Sequence, residues 1–123
     1  MTNIGDALGI AMAETLARGM VFWVQNECFS NFYGGARSKE HPCLVCSRTS
    51  VFAPGTSSET AATWTEQKPF VLTKPESLDG ERSTFMLAMR KKVPQAKINR
   101  YMGNIHADDL RALNQILGQE RDV

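Results

Sequence analysis

The chain has 123 residues, 22% of them charged, and a formal net charge of +1. A chain of this length predicts one domain over residues 1–123, and its small net charge excludes a globally basic nucleic-acid-binding protein. No apolar run is long enough to span a bilayer, and the N-terminus lacks the basic-then-apolar order of a signal peptide. We therefore expect a cytoplasmic protein that binds no membrane.

The first predicted element is a helix over residues 2–18. Its apolar residues recur at intervals of three and four, which is the spacing of one helical face. They are Ile4, Leu8, Ala11, Met12 and Leu16. Gly19 follows and suits a left-handed C-terminal cap. We expect this helix to pack on the outside of the domain.

Two apolar runs, 20–24 and 43–47, are predicted to be the central strands. Both are rich in β-branched, aromatic or other apolar side chains and are bounded by turn formers or charges, the pattern of strands buried on both faces. The segment between them, residues 25–40, is too long for a tight hairpin. Loops of this length in a compact domain are often functional, so candidate chemistry is sought here first.

The remainder of the chain predicts further short strands and a closing helix. Residues 54–60 read as an exposed polar loop and 78–81 as a turn. The predicted strands are 61–66, 70–73, 83–89 and 101–105. A helix is predicted over 106–117, because its apolar residues form one stripe and two aspartates occupy its first turn. This order predicts an α+β protein, a small antiparallel β-barrel of about five to seven strands with a helix at each end.

Three parts of the chain resemble the MazF/PemK toxin family. They are Arg18-Gly19 ahead of a hydrophobic strand, Pro42–Ser47 at the second strand, and the stretch from Met86 through Leu117. The resemblance implies an SH3-like barrel of the CcdB/MazF type and a growth-inhibiting toxin. It further implies a homodimer that cleaves single-stranded RNA sequence-specifically without a metal or other cofactor, and that is neutralised by a cognate antitoxin protein.

His41 is the first candidate catalytic residue. Metal-free RNA cleavage needs a base, an acid and a cation for the charge on phosphorus, and the family pattern has an arginine where this chain has His41. A histidine transfers protons near neutral pH but supplies no permanent bidentate cation. Arg37 in the same loop could restore that charge. Alternatively, His41 is a solvated strand-end residue and the enzyme is weakened or inactive.

The second functional residue of the family is a Thr or Ser that follows the next strand. In this chain it maps onto Thr63 or Thr65. The alternative for both is an ordinary polar strand residue.

A local basic run is the candidate RNA-binding surface. It consists of Arg90, Lys91, Lys92, Lys97 and Arg100. Loop aromatics, Phe29, Phe32 and Tyr33, could stack on unpaired bases while the cations contact phosphates. The alternative is a solvated charged rim.

The three cysteines raise the question of a metal site. Cys43 and Cys46 form a C-x-x-C pair beside His41, and Cys28 could join them. In a strand, however, residues three apart point to opposite faces and lie about 10 Å apart. We therefore expect buried free thiols and no metal.

Two hypotheses follow for function. The first is the ribonuclease toxin, and the second is a non-catalytic protein-binding toxin or inactive relative on the same barrel. Dimerisation is expected because the run 83–89 would leave an apolar sheet edge exposed.

Overall fold

The computed structural model describes residues 16–33, 39–78 and 83–118. Within them the chain forms seven strands and two helices. The strands are β1 Met20–Gln25, β2 Glu40–Ser47, β3 Val51–Thr56, β4 Pro69–Val71, β5 Thr84–Met86, β6 Lys91–Lys92 and β7 Ile98–Asn104, and the helices are α1 Ser30–Tyr33 and α2 Ala107–Leu117. In this described part, no helix has the length and apolar character needed to cross a membrane.

All strands pair antiparallel, in the order β4-β5-β3-β2-β1-β7. β6 is not part of this order and pairs with β3. The predicted α+β class and strand number are confirmed, but the sheet is not closed into a barrel, since no pairing joins β4 to β7 among the described residues. A 3₁₀ turn, Pro75–Leu78, packs on β7 instead. A Cβ at Gly103 would lie 3.1 Å from Leu78 Cδ2, so the missing side chain permits this approach.

β2 is the central strand, and its residues from Pro42 to Cys46 are buried. Alternate side chains enter two separate cores: Leu44 and Cys46 join one, Cys43 and Val45 the other. This confirms the prediction of a strand buried on both faces. It also confirms that the two thiols of the C-x-x-C pair point to opposite sides of the sheet.

β3 was not expected, because Pro54 and Gly55 are poor strand formers. The prediction of an exposed loop over 54–60 is wrong for 54–56, which pair with β2 and β5. A Cβ at Gly55 would lie 2.5 Å from the Pro42 carbonyl oxygen and 2.7 Å from the Phe85 ring. Glycine at this position therefore allows β2, β3 and β5 to approach closely.

Two other predicted strands are shorter or absent. Residues 61–66 form 3₁₀ turns, Ala61–Thr63 and Thr65–Gln67, in which only Ala61 is buried. With so little apolar surface to bury, this segment has no reason to join the sheet. The strand predicted over 83–89 ends at Met86 and continues as a 3₁₀ turn.

The expected sheet edge for dimerisation is not an edge. β5 pairs with β3 on one side and β4 on the other, and residues 83–87 are buried. The physical reason given for a dimer is therefore wrong. The dimer itself stays a prediction.

The closing helix α2 confirms its prediction and covers one core through Leu113. The Nδ1 atom of His106 caps it by accepting a hydrogen bond from Asp108 N at 3.0 Å. Asp109, 2% exposed, accepts hydrogen bonds from Thr73 N at 3.0 Å, Thr73 Oγ1 at 2.6 Å and Lys74 N at 3.1 Å. These hydrogen bonds connect α2 to the segment that follows β4.

Arg18 fastens the other end of α2. Its Nε donates to Cys46 O at 2.7 Å, and its Nη1 donates to Asn114 Oδ1 at 3.0 Å and to the Gly118 carbonyl. A cation at a helix C-terminus is favourable. Of the predicted N-terminal helix, residues 16–18 are not helical and the remainder lies outside the described residues, as do residues 79–81 of the predicted turn.

Candidate functional site

A cavity of about 140 Å³ lies where β2 begins and β3 ends. Its lining residues are Trp23, Glu40, His41, Pro42, Thr56, Ser57 and Ser83. The sheet register explains how they meet: Pro42 pairs with Trp23 on β1, and Cys43 pairs with Pro54 on β3. A larger concavity of about 650 Å³ also has Thr56, Ser57 and Ser83 in its lining, so these three hydroxyl residues border both spaces.

His41 is half-buried and held on two sides. Its Nδ1 makes a hydrogen bond with Asn26 Oδ1, and its ring stacks on Tyr33 with centroids 3.8 Å apart and planes 11° apart. Burial lowers the pKa of His41 below its ordinary value of 6.5. The imidazole is therefore neutral at neutral pH and able to accept a proton. It is not the freely solvated side chain of the alternative reading.

Tyr33 is itself fixed in place. Its hydroxyl donates to Gly55 O at 2.8 Å and lies 3.8 Å from Cys43 Sγ. Burial raises the pKa of Tyr33, and it raises the pKa of Cys43 to about 12. Both groups are thus uncharged at neutral pH, and the surroundings on the Tyr33 side of His41 carry no ionised phenol or thiol.

The Arg100 guanidinium contacts two residues that line the cavity, Glu40 and Trp23. Arg100 on β7 contacts Glu40 Oε1 through Nη1 at 2.5 Å, and its Cζ lies 4.8 Å from the ring centre of Trp23. Trp23 separates Arg100 from Pro42 in the sheet, because it pairs with both. Asn99 Nδ2 also donates to Glu40, at 2.7 Å. Sequence reasoning had placed Arg100 only in the basic run, and Arg37 lies outside the described residues.

Thr63 and Thr65 do not line the cavity that includes His41. They are exposed and line a different concavity of about 440 Å³, with Phe32 and Trp64. Their mapping assumed that the strand after β2 was 61–66, whereas that strand is β3. The hydroxyls at the end of β3 belong to Thr56 and Ser57, which sequence reasoning missed. The short run Val51-Phe52-Ala53 was the available signal.

The basic run is divided between two parts of the sheet. Lys91 and Lys92 form β6 beside β3, whereas Lys97 and Arg100 lie just before and on β7 beside β1. Lys97 Nζ pairs with Glu27 at 2.5 Å, and Arg90 donates to a backbone carbonyl, Leu87 O, at 2.6 Å. RNA binding by these cations stays a prediction.

Most of the aromatic side chains of the loop already pack against other residues of the protein. Phe29 is 3% exposed, so it cannot stack on a base, and Lys91 Nζ lies 5.1 Å from its ring centre. The ring of Tyr33 is stacked on His41. Phe32 is half-buried against Trp64, with centroids 6.2 Å apart. A base-stacking role for Phe32 and Tyr33 stays a prediction, and Trp23 is a further half-buried aromatic at the cavity.

Cys28, Cys43 and Cys46 are free and buried, as expected. In the ranges that the structure describes, no group of three or more His, Cys, Asp or Glu residues is arranged to hold a metal ion. The absence of a metal requirement stays a prediction.

Comparison of this chain with protein-family models and with curated proteins gives no match. Membership of the MazF/PemK family therefore stays a prediction. Function has to be inferred from the residues of the site.

Proposed function

We propose that the protein is a metal-free, sequence-specific endoribonuclease of single-stranded RNA and acts as the toxin of a toxin–antitoxin pair. The observation that carries this proposal is the neutral, positioned imidazole of His41 at the start of β2, a residue that lines a cavity together with Thr56, Ser57 and Ser83. These residues supply a base and hydrogen-bond donors, and Arg100, which contacts Glu40 and Trp23 of the same lining, supplies a cation. Homodimerisation and an antitoxin partner are proposed with it, on the resemblance alone.

The proposed reaction is a transfer within the RNA backbone. His41 takes the proton of a ribose 2′-hydroxyl, the 2′-oxygen forms a bond to the adjacent phosphorus, and the bond from phosphorus to the 5′-oxygen breaks. The departing 5′-oxygen takes a proton from water. The products are a 2′,3′-cyclic phosphate and a 5′-hydroxyl end, and no oxidant or metal enters the balance.

The reaction also requires stabilisation of the negative charge on the phosphoryl oxygens. A guanidinium has more donors than one carboxylate oxygen uses, so Arg100 can contact a phosphate while keeping Glu40. The hydroxyls of Thr56, Ser57 and Ser83 add donors from the cavity wall. Trp23 is half-buried and has Arg100 over one face of its ring, so an unpaired base would stack on the remaining face, which favours single-stranded RNA over a duplex.

A second candidate is a growth inhibitor that acts by binding a protein. One observation favours it: the Arg100 guanidinium already pairs with Glu40, which reduces the net positive charge available to a phosphate. A site with little uncompensated charge suits RNA less well than a protein surface.

We expect the purified protein to cut single-stranded RNA equally well with and without a chelator, leaving 5′-hydroxyl ends. Duplex RNA of the same sequence serves as the matched substrate control and should resist cleavage. Sequencing of the RNA ends gives the readout. Growth arrest on expression in bacteria without new RNA ends would instead support the protein-binding candidate.

Ser57→Ala is expected to slow RNA cleavage by roughly tenfold or more, because it removes a hydroxyl donor from the cavity wall. Thr65→Ala is the matched control, since Thr65 is likewise an exposed hydroxyl residue but lines the separate concavity. Initial cleavage rates of both variants give the comparison. Loss of activity in Thr65→Ala alone would restore the mapping made from the sequence.

A further inference from the structure

We propose that Asn26 is a positioning residue: its side-chain oxygen holds His41 in the tautomer that is protonated on Nδ1, so that Nε2 is the atom that takes the substrate proton. The catalytic consequence rests on the proposed function. The assignment of the tautomer does not, because it follows from contacts within the protein.

The contact between Asn26 and His41 determines which ring nitrogen carries the hydrogen. The atom of Asn26 that meets His41 Nδ1 is Oδ1, a carbonyl oxygen that only accepts hydrogen bonds. Nδ1 must therefore carry a hydrogen. A neutral imidazole has one N–H, so its lone pair resides on Nε2.

The backbone around Asn26 and His41 holds the two side chains in place. Asn26 begins the 3₁₀ turn Asn26–Phe29 directly after β1, and its backbone N–H donates to Lys39 O at 2.9 Å. On the strand that follows, His41 pairs with Val24 in the β1–β2 register. Both partners are thus anchored to the same pair of strands, close to where the loop leaves and rejoins the sheet.

The orientation of the His41 ring depends on Tyr33 as well as on Asn26. Tyr33 stacks on the imidazole and is held by its hydrogen bond to Gly55 O. Turning the ring over would keep the stack but would exchange Nδ1 for a carbon and lose the bond to Asn26. The Asn26 contact is therefore what selects one orientation of a ring that Tyr33 already confines to one plane.

The hydrogen-bond partner that orients the His41 ring is the neutral side chain of Asn26, whereas the titratable groups around the ring make other contacts. On β2, Cys43 is a buried thiol and Glu40 is engaged by Arg100 and Asn99. On α1, the facing group is the phenol of Tyr33. In the 3₁₀ turn, Glu27 follows Asn26 and pairs with Lys97. Because Asn26 is uncharged, it orients the imidazole while favouring the protonated form less than a carboxylate in the same place would.

The test uses nitrogen NMR of the labelled full chain without RNA, together with the pH profile of kcat/KM on single-stranded RNA. In the parent we expect His41 to show a protonated Nδ1 and an unprotonated Nε2. Asn26→Ala should give a mixture of tautomers and roughly tenfold slower cleavage. Asn26→Asp keeps the acceptor but adds charge, so it should keep the tautomer and move the acid limb of the profile upward by about one pH unit.

Gln25→Ala is the matched control, because Gln25 is the neighbouring amide and its side chain bonds Asn99 instead, at 3.3 Å. It should change neither the nitrogen spectrum nor the pH profile. A parent His41 protonated on Nε2, or an unchanged spectrum in Asn26→Ala, overturns the positioning role. If Asn26→Ala does not fold, the parent spectrum and Asn26→Asp still decide. The expected tautomer in a parent that cleaves no RNA would overturn the proposed function and leave the tautomer assignment standing.

Discussion

His41→Ala is expected to slow RNA cleavage by about a hundredfold or more while the chain stays folded, because a positioned base contributes a factor of this order. The side chain is half-buried at the start of β2 and stacks on Tyr33 at the margin of one core, so its removal leaves the fully buried residues of both cores in contact. Single-turnover cleavage and a thermal melt measure the two effects separately. Comparable losses of rate and of folded protein would show that His41 serves structure alone.

The pH dependence gives a further part of the same result. Burial lowers the pKa of His41 below 6.5, so the folded protein keeps the neutral base to a lower pH than a solvated histidine would. Cleavage should therefore be constant through neutral pH and fall only as the pH drops through that lowered pKa. The same shift makes the unfolded chain bind the proton first, so the stability contribution is present above 6.5 and lost on acidification. His106→Asn is the matched control, since it replaces the other histidine and keeps a capping acceptor.

Asp109→Ala is expected to lower the free energy of unfolding by about 3 kcal/mol, a large part of the stability of a typical domain, because a buried donor left without a partner costs about 1–3 kcal/mol. Its carboxylate accepts from Thr73 N, Thr73 Oγ1 and Lys74 N, and all three donors would lose their partner. Hydrogen bonds to a charged acceptor are among the stronger ones in proteins. Urea denaturation, read as the midpoint with its slope, gives the measurement.

Asp108→Ala is the control for this prediction. Asp108 neighbours Asp109 in the first turn of α2 and pairs with Lys74, but it is much more exposed, so water replaces most of what the pair contributes. We expect a small change in the midpoint. Equal losses in the two variants would mean that helix charge, and not the buried carboxylate, accounts for the effect.

The parts of the fold that follow from local pattern were predictable. The apolar run around Leu44 predicted a strand buried on both faces. The apolar stripe that includes Leu113 predicted the buried face of α2, and the aspartates in its first turn predicted its start. β3 was missed because local propensity weighs against Pro54 and Gly55. Their place in the sheet depends on contacts with Pro42 and Phe85, which are distant in sequence.

The candidate site was predicted only in part, for the same physical reason. His41 was identified because it occupies the position where the MazF/PemK pattern has an arginine, and because a histidine there can transfer protons. Asn26, 15 residues away, and Arg100, which reaches Glu40 from β7, could not be paired from the sequence without the register of β1 with both neighbours. Because β3 was not predicted, the hydroxyl residue of the site was expected at Thr65 and not at Ser57.

The three buried thiols lie on two sides of the sheet, so they can report local opening of each side. Cys46, 2% exposed, lies in the core beneath α2, and Cys43, fully buried, lies in the opposite core with Cys28. A thiol reagent reacts with a thiolate that it can reach, so each cysteine is protected until its own side of the sheet opens. Labelling of single-cysteine variants would therefore time the opening of the two sides independently, without any foreign probe in the protein.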